Sequence, residues 1–383
     1  MDKPTVQDIF HRFYPAYLDQ YSPSPVQAKV AHNIMNCKTG AYGANVCVCE
    51  DCGFVQIHYN SFRNRCCPMC QAVPKEMWMD ARREDVLDAP YFHLVFTVPD
   101  ILNPVIYSNQ RLLYDALYHA ASSTISELTA DPKHLGAKVG YICILHTWGS
   151  EMNFHPHIHT ILLGGGLASN NQWKDNGENF FLPIRVISKM FRGKYLEELK
   201  RLWEEDKLVF HGTAEKFRNH YTFKELLDSC YGMDWIPHCK KTFNGAQTVI
   251  KYLGKYTHRI AVSNHRIVRM DDDTVTFLVK DYRNEGQWKE LTISGVEFVR
   301  RFLMHVPPRR FVRIRHYGLL CSRTKSQKLT LCRNLLGCKK YLSKLRDMEM
   351  PEILEHLYGI KVCVCKACGG HLGKPQMRMP LRC

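Results

Sequence analysis

The chain begins with apolar residues at helical spacing. The positions that share one helical face are Val6, Ile9, Phe10, Phe13, Tyr14 and Tyr17. The sequence Ser-Pro-Ser-Pro at 22–25 interrupts this pattern, and a serine followed by a proline favours a helix start. We therefore expect one or two amphipathic helices within 5–36, divided at this break, and a further helix over 72–88.

Three short runs in the middle of the chain have the composition of β-strands. The first, at 91–98, reads YFHLVFTV and ends at Pro99, which indicates a buried strand. A segment with helical spacing follows at 111–129. The runs at 139–147 and 155–163 come next, and the short polar turn between them predicts a β-hairpin.

Histidines alternate along the last of these runs. Period-two geometry places three of them on one face, namely His155, His157 and His159. We expect Ile158 and Ile161 to turn away from that face toward packing. His146 lies eleven residues before His157, so the hairpin could bring it opposite the row. Imidazoles that converge in this way form a divalent-metal site with open positions for water or phosphate oxygens. The alternative is a histidine-rich strand that faces solvent.

Cysteine spacing indicates a metal site near the N-terminus. The chain has 17 cysteines, an odd and high number that disfavours a disulfide framework and favours metal ligands. Two C-x2-C pairs could supply a tetrahedral structural zinc site, and these are Cys49, Cys52, Cys67 and Cys70. The alternative is four unligated core cysteines. Cys37, His32 and His58 lie near enough in sequence for a second zinc ion.

A third C-x2-C pair lies near the C-terminus. Cys365 and Cys368 are followed by Gly369, and Cys363, His371 and Cys383 are close in sequence. This knuckle either binds zinc or forms a reduced, exposed turn, and the sequence favours neither reading.

Two tyrosines with helical spacing occur in the segment 245–262. Tyr252 and Tyr256 are four residues apart, so on a helix they lie on one face. The neighbouring cations that could steady a tyrosinate or a phosphate are Lys251, Lys255, His258 and Arg259. Two equivalent hydroxyl nucleophiles suit a reaction with two successive covalent transfers. The alternative is that the tyrosines pack in the core.

The charge balance indicates a polyanionic partner. The chain has 52 Lys and Arg residues and 37 Asp and Glu residues, so its formal net charge is 52 − 37 = +15 with His neutral. This charge favours nucleic acid over a membrane surface as the partner. From Arg300 to Arg346 there are fourteen Lys or Arg residues and no Asp or Glu, interleaved with Phe302, Phe311, Tyr317 and Tyr341. Such a stretch suits single-stranded DNA, although a solvated basic face is the alternative. The candidate DNA contacts are Lys251, Lys255, Arg259, Arg309, Arg310, Arg313 and Arg315.

The sequence also excludes some partners. The start MDKPTVQDIF lacks the apolar core of a signal peptide, and no run of about 18 apolar residues could span a bilayer. We expect no membrane partner and a cytoplasmic protein, associated with the nucleoid through DNA binding. No G-x4-G-K-[ST] loop occurs in the sequence, so we expect no nucleotide cofactor.

The order of zinc ribbon, His-hydrophobic-His strand and Tyr-x3-Tyr helix resembles the HUH-type two-tyrosine rolling-circle transposases of the insertion-sequence 91 family. The segments that carry the resemblance are CVCEDCGFVQIHYNSFRNRCCPMCQ at 47–71, PYFHLVFTVPDILNP at 90–104, LHTWGSEMNFHPHIHTILLGGGL at 145–167, KYLGKYTHRIAVSNHRI at 251–267 and RFVRIRHYGLL at 310–320. They extend over most of the chain. One departure is Cys66, which stands where related sequences place a histidine.

The resemblance implies a mechanism. His157 and His159 hold a catalytic Mg²⁺ or Mn²⁺, and Tyr252 and Tyr256 are the nucleophiles. The third ligand is either His146, as in related relaxases, or a polar residue of the tyrosine helix. A tyrosine hydroxyl attacks single-stranded DNA at the element ends or the target site, giving a 5′-phosphotyrosine link and a free 3′-hydroxyl. His155 is then a candidate contact of the scissile phosphate.

The implied fold class is α+β, with an antiparallel sheet and packed helices as the HUH nuclease core behind a helical and zinc-ribbon domain. We expect a helical and zinc-ribbon DNA-binding domain at 1–85. A nuclease domain is expected at 86–299, with an insertion at about 168–240 that carries a helix at 188–206. A basic C-terminal region is expected at 300–383, and it contains the knuckle for which zinc binding and a reduced turn are both open.

Other classes of protein share some of these features. A rolling-circle replication initiator or a conjugative relaxase has the same nuclease core. A non-catalytic zinc-ribbon DNA-binding protein would use the histidines and tyrosines structurally. A ribonuclease H-like transposase needs a carboxylate triad, and no carboxylate cluster in the sequence favours one.

Overall fold

The structure is a computed structural model that describes residues 3–175, 182–235, 237–243, 249, 254, 261–281 and 286–378. The helices are α1 (Val6–Gln20), α2 (Pro25–Met35), α3 (Ala72–Arg83), α4 (Asn103–Ser108), α5 (Gln110–Ala130), α6 (Ile184–Glu204), α7 (His220–Gly232), α8 (Gly295–Met304), α9 (Lys325–Leu336) and α10 (Met350–Tyr358). The strands are β1 (Ala44–Val48), β2 (Val55–Tyr59), β3 (Tyr91–Thr97), β4 (Lys138–Trp148), β5 (Phe154–Leu167), β6 (Trp173–Asp175), β7 (His238–Phe243), β8 (Ile267–Met270), β9 (Thr274–Asp281), β10 (Gln287–Ser294), β11 (Ile314–Gly318) and β12 (Gln376–Arg378).

Helices α1 and α2 confirm the two helices expected at the start of the chain. The Thr5 hydroxyl accepts a hydrogen bond from the backbone N–H of Asp8, and the Asp8 carboxylate accepts one from the backbone of Thr5. Ser24 and Gln27 form the same reciprocal cap on α2, and Pro25 occupies its first turn. These caps satisfy N–H groups that have no partner inside a helix. Local chemistry therefore fixes both helix starts.

An antiparallel sheet with the strand order β11-β4-β5-β3-β7 lies at the centre of the protein, and β6 pairs with β5. Strands β3, β4 and β5 are the three predicted strands, and β4 and β5 form the predicted hairpin. Helices α4 to α7 cover one face of this sheet. The side chains of Leu94, Cys143 and Ile158 enter the same apolar core as those helices. The α+β class is thereby confirmed.

The other face of the sheet carries the histidines. Ile158 turns away from them as expected, but the same expectation for Ile161 is wrong. Ile161 has the same parity as His157 and His159, so it lies on their face. There it belongs to a second apolar cluster that also contains Ile144. The histidine row therefore continues into an apolar surface on its own side of the sheet.

The described residues within 168–240 form part of the central core. Helix α6 begins at Ile184, earlier than predicted, and its side chains Phe191 and Tyr195 are fully buried. The rings of Phe191 and Phe96, on β3, lie 4.9 Å apart. The segment that we expected to be an insertion thus covers the sheet face opposite the histidines.

Helices α1 and α2 pack against a part of the chain that is distant in sequence. The sheet β10-β9-β8 and helix α8 share one apolar core with them. The rings of Phe10 and Phe302 meet edge to face at 5.2 Å. At Gly295 a Cβ atom would lie 2.2 Å from the Phe13 ring, so only glycine allows this close approach. Residues 1–85 therefore share a core with the region beyond residue 261.

The two ends of the described chain also meet. Strand β12 pairs with β1, which pairs with β2, so a C-terminal strand completes the sheet of the N-terminal ribbon. The expected division assigns β1 and β2 to the region 1–85 and β12 to the region 300–383, whereas the structure joins the three strands in one sheet. Among the described residues, no helix has both the length and the apolar character to cross a membrane.

Candidate metal centre

Three histidines converge on the central sheet. His146 on β4 pairs directly with His157 on β5. His159 lies two residues further along β5, on the same face of the sheet. The ligating atoms of the three side chains lie within 4.8 Å of one another. All three side chains are buried, which excludes the solvent-facing strand. The hairpin register thus builds the cluster that was predicted from His-x-His spacing.

Hydrogen bonds orient two of these rings. The Nδ1 atom of His157 lies 2.7 Å from the carbonyl oxygen of His155, and since a carbonyl only accepts, this Nδ1 carries the proton. The Nδ1 atom of His159 lies 2.9 Å from Nε2 of His93 on β3. If His159 donates in that pair, the Nε2 atoms of both rings offer lone pairs to one point. These two Nε2 atoms are 3.1 Å apart.

His93 is a member of the site that the sequence analysis missed. It lies on β3, is buried, and its ring stacks on that of His159 with centroids 5.1 Å apart. A histidine that ligates a metal usually bonds its other ring nitrogen to a partner that fixes its tautomer. His93 is placed to be that partner. The signal was visible as the one histidine in the predicted strand 91–98.

His155 lies at the edge of the cluster. Its Nδ1 atom is 3.1 Å from a carboxylate oxygen of Asp100, which is exposed. The ring of His155 is 5.3 Å from that of His157, but it is not one of the three grouped ligands. The structure therefore separates His155 from the three buried histidines.

An aromatic wall closes one side of the cluster. The His146 ring stacks on Trp148 with centroids 4.6 Å apart, and the Arg313 guanidinium lies 5.3 Å from the Trp148 ring. The Nε2–H of His305 donates to the Met152 carbonyl at 3.0 Å, and its Nδ1 atom accepts from the Thr147 hydroxyl at 3.2 Å. Burial lowers the pKa of His305 to about 4, so this ring is neutral at pH 7.

The predicted nucleophiles Tyr252 and Tyr256, and the cations Lys251, Lys255, His258 and Arg259, lie outside the described residues. Two residues of the same segment are described. Val249 is buried in the apolar cluster on the histidine face, together with Ile144 and Ile161. Gly254 lies against helix α3, where a Cβ atom would meet the Met79 sulfur at 1.8 Å.

The cysteines form two clusters, and each contains one of the two N-terminal C-x2-C pairs. Cys49 and Cys52 group with Cys365 and Cys368 of the C-terminal knuckle. Cys67 and Cys70 group with Cys37, which follows helix α2. The grouping of Cys49, Cys52, Cys67 and Cys70 around one ion is therefore wrong. The reason is topological, because β12 pairs with β1 and so brings the C-terminal knuckle beside the knuckle of Cys49 and Cys52.

Electrostatics within the second cluster favour a thiolate at one of its three cysteines. Hydrogen bonds from Cys67 and then from Cys37 lower the pKa of the Cys70 thiol to about 6. The pKa of Cys67 is raised by its hydrogen bond with Cys70, and burial raises the pKa of Cys37. A lowered pKa provides the deprotonated sulfur that a metal needs. Cys66 is buried outside this cluster, and burial raises the pKa of its thiol.

The basic residues between Arg300 and Arg346 include exposed side chains and side chains that contact other parts of the protein. Arg309 and Arg310 are exposed, whereas Arg313 lies in the wall beside Trp148. Arg315 pairs with Asp115 and stacks on Tyr118 at 4.0 Å. Others are paired with acidic residues upstream, as in Lys325–Asp85 at 2.8 Å. The acid-free run therefore serves partly to bind acidic side chains elsewhere in the chain.

Comparison with known families identifies the class of protein. Residues 140–328 match a family described as "Putative transposase", and residues 9–98 match one described as "Transposase zinc-binding domain". The first match contains the histidine hairpin and the tyrosine segment, and the second contains the ribbon. These features define a transposase with a zinc-binding N-terminal domain.

Full-length relatives then give the family. The chain is 40% identical over 369 residues to "Putative transposase y4qJ" of Sinorhizobium fredii, covering 95% of this chain and 93% of that protein. It is 30% identical to the transposase for insertion sequence element IS801 of Pseudomonas savastanoi pv. phaseolicola, covering 79% and 72%. The chain belongs to the insertion-sequence 91 family of transposases, as its motifs predicted.

A solved structure of lower similarity is the conjugative relaxase TrwC in complex with oriT DNA. The identity is 13% and the TM-score is 0.26, with 67% of this chain and 96% of that chain covered. This degree of likeness adds nothing to the assignment of the fold or the chemistry.

Proposed function

We propose that this transposase cuts and rejoins single-stranded DNA at insertion-sequence ends and at the target site. Tyr252 or Tyr256 would be the nucleophile, and a divalent ion at His146, His157 and His159 would assist. The observation that carries the proposal is the buried convergence of these three histidines in a chain of this transposase family. Buried histidines on one sheet face are costly to assemble unless they bind something.

The donor set fits a divalent ion. Two nitrogens bound at right angles to one ion, at about 2.1 Å each, lie about 3.0 Å apart. The Nε2 atoms of His157 and His159 are 3.1 Å apart. Imidazole ligands favour Mn²⁺ over Mg²⁺, which prefers oxygen. When bound, the ion polarises a phosphate and offsets the negative charge that develops on its oxygens.

The position of Val249 supports the role of the tyrosines. Val249 is buried on the histidine face, three residues before Tyr252. Tyr252 and Tyr256 follow Val249 by three and seven positions in the sequence, so the proposed nucleophiles belong to a segment that has one residue buried on the histidine face.

The covalent step exchanges one phosphoester for another. A bond forms between the tyrosine oxygen and phosphorus, and the bond from phosphorus to the 3′ oxygen of the preceding nucleotide breaks. The phenol proton passes to a base, and the departing 3′ oxygen takes up a proton. The link conserves phosphodiester energy, so rejoining needs no nucleotide hydrolysis. With two tyrosines, one could hold an element end while the other cuts the next strand.

A positive groove could guide the strand. Its lining includes Lys29, Arg65, Arg309 and Arg310. Arg65 also donates to the Phe311 carbonyl at 2.7 Å, which fixes its side chain. Phosphate contacts made by such residues release counterions, so binding of the DNA should weaken steeply as salt rises.

The test is covalent capture of labelled single-stranded oligonucleotides that carry the element ends, in the presence of Mn²⁺. We expect a protein–DNA adduct that survives denaturation, requires the metal, and disappears in Tyr252→Phe/Tyr256→Phe. The matched control is Tyr221→Phe, because Tyr221 is exposed on helix α7. Specific binding without an adduct on any cleavable end would instead favour a non-catalytic DNA-binding protein. Joining of the cut end to a target strand would distinguish a transposase from a replication initiator.

A further inference from the structure

We propose that a zinc ion held by Cys49, Cys52, Cys365 and Cys368 fastens the two ends of the chain together. This cluster is named the terminal clasp below. The matched zinc-binding family ends at residue 98, so it does not contain the two C-terminal ligands. Residues 363–378 would then belong structurally to the N-terminal zinc-binding domain.

The two halves of the clasp have the same backbone design. Each is a C-x2-C-G knuckle in which the glycine N–H bonds back to the carbonyl of the first cysteine, at 3.1 Å for Gly53 and 2.9 Å for Gly369. Both glycines adopt left-handed φ angles, +70° and +79°. The N–H of Cys49 bonds to the carbonyl of Phe54, and that of Cys365 to the carbonyl of Gly370. Such turns place two sulfurs on one edge of a tetrahedron.

The sulfur positions match zinc better than disulfides. The Sγ atoms of Cys49 and Cys368 are 3.5 Å apart, and those of Cys52 and Cys365 are 3.7 Å apart. Four sulfurs at about 2.3 Å from a tetrahedral zinc ion are separated by about 3.8 Å. A disulfide requires about 2.05 Å. The clasp therefore has the dimensions of a four-thiolate zinc site.

Backbone donors also point at the sulfurs. The N–H of Ala367 lies 3.4 Å from the Cys365 sulfur, and that of Gly370 lies 3.4 Å from the Cys368 sulfur. These two donors hold the sulfurs of the C-terminal knuckle in place.

Backbone hydrogen bonds also join the two knuckles directly. The N–H of Glu50 donates to the His371 carbonyl at 3.1 Å, and that of Gly373 donates to the Val48 carbonyl at 2.9 Å. Strands β1 and β12 extend this pairing. The clasp ligands are therefore held in register by a continuous ladder.

The ribbon needs the ion because its own apolar core is small. Among the described residues, the cluster of buried apolar side chains at this end consists of Cys47, Cys49, Cys365 and Leu372. The neighbouring residues Val55 and Ile57 are each 50% exposed. A unit of this size cannot bury enough apolar surface to hold itself together, whereas a structural zinc ion contributes folding free energy directly.

Zinc content of the purified full-length protein tests the clasp. With zinc also in the Cys37, Cys67 and Cys70 cluster, we expect two ions per chain in the wild type. Cys365→Ser/Cys368→Ser and Cys49→Ser/Cys52→Ser should each lose one. The variant with all four substitutions should lose no more than one, because both pairs hold the same ion. Cys363→Ser, an exposed cysteine outside the cluster, is the matched control.

Two results would overturn the clasp. One is full zinc content in Cys365→Ser/Cys368→Ser. The other is loss of two ions in the four-cysteine variant but of one ion in each two-cysteine variant.

Alkylation of the cysteines of the wild-type protein is a second test, which does not depend on the folding of any variant. Cys52, Cys368, Cys321 and Cys363 are all exposed. We expect rapid labelling of Cys321 and Cys363 and protection of Cys52 and Cys368 until a chelator is added. Equal labelling of all four before chelation would contradict the proposal.

Discussion

The histidine centre and the terminal clasp are assembled by opposite routes. His146 and His157 are brought together by one hairpin, in which they are directly paired. Cys52 and Cys365 are separated by 313 positions and meet only because the two ends of the chain pair in one sheet. The first site therefore depends on local strand geometry, whereas the second depends on completion of the whole fold.

The largest expected effect comes from removing a ligand of the histidine centre. His157→Ala should reduce metal-dependent DNA cleavage by about 10³-fold or more, because stabilisation of the developing phosphate charge is lost. Zinc content should stay at the wild-type value, since the two kinds of site are independent. Single-turnover cleavage and metal analysis of the same preparation check both statements.

The control for this substitution is His155→Ala. His155 lies outside the three grouped ligands, so cleavage should fall by only about 10-fold, as for the loss of one phosphate contact. Equal losses of cleavage activity in the two variants would show that His155 contributes as much as the three grouped histidines.

A large effect on stability is expected at the long-range core. Phe10 is fully buried against Phe302, so Phe10→Ala should lower the free energy of unfolding by about 3–5 kcal/mol. Leu18→Ala is the matched control on the same helix, since Leu18 is 48% exposed and should change stability by about 0.5 kcal/mol or less. Urea unfolding measures both. Similar values for the two variants would show that the N-terminal helices do not depend on α8.

A smaller effect is expected when His93, the partner of His159, is removed from the histidine centre. His93→Ala should weaken Mn²⁺ binding by about 10–100-fold, because His159 loses the partner that fixes its tautomer. His93→Gln, which keeps a hydrogen-bonding group, should recover part of the affinity. His119→Ala, an exposed histidine on α5, is the control. Direct metal titration gives the result, and unchanged affinity in His93→Ala would remove His93 from the site.

The smallest effect concerns ion pairs within α8. Hydrogen bonds from Arg300, and then from Arg301, lower the pKa of Glu297 from 4.5 to about 2. A carboxylate with a lowered folded-state pKa stabilises the protein fully above the unfolded value. This contribution is lost as the pH falls from about 4.5 toward 2. Solvent screening limits it to about 1 kcal/mol. Wild type and Glu297→Gln should therefore differ in unfolding free energy at pH 7 and converge near pH 2, and a constant difference would contradict this.

Much of the histidine centre could be predicted because period-two alternation is a local property. His157, His159 and their partner His146 follow from strand spacing and one hairpin. His93 was missed because the register between β3 and β5 depends on tertiary structure. Ile161 was misplaced although its parity with His159 was available in the sequence.

The clasp could be predicted only in part, because its ligands are far apart in the chain. The recurrence of CEDCG and CKACG was visible, with identical spacing and a glycine in the same place. Nothing local indicated that Cys49 pairs with Cys368 in preference to Cys67. The same limit applied to residues 168–240, where the apolar spacing of α6 was visible but the sheet face that it covers was not.

The most direct test of the central proposal is to map the covalent DNA attachment by mass spectrometry. Wild-type protein, Mn²⁺ and a single-stranded element end would be allowed to react, and the adduct would then be digested to peptides. We expect DNA attached to Tyr252 or Tyr256, with no adduct when the metal is withheld or when the His157→Ala variant is used. Attachment at another residue, or an adduct that forms equally well without metal, would contradict it.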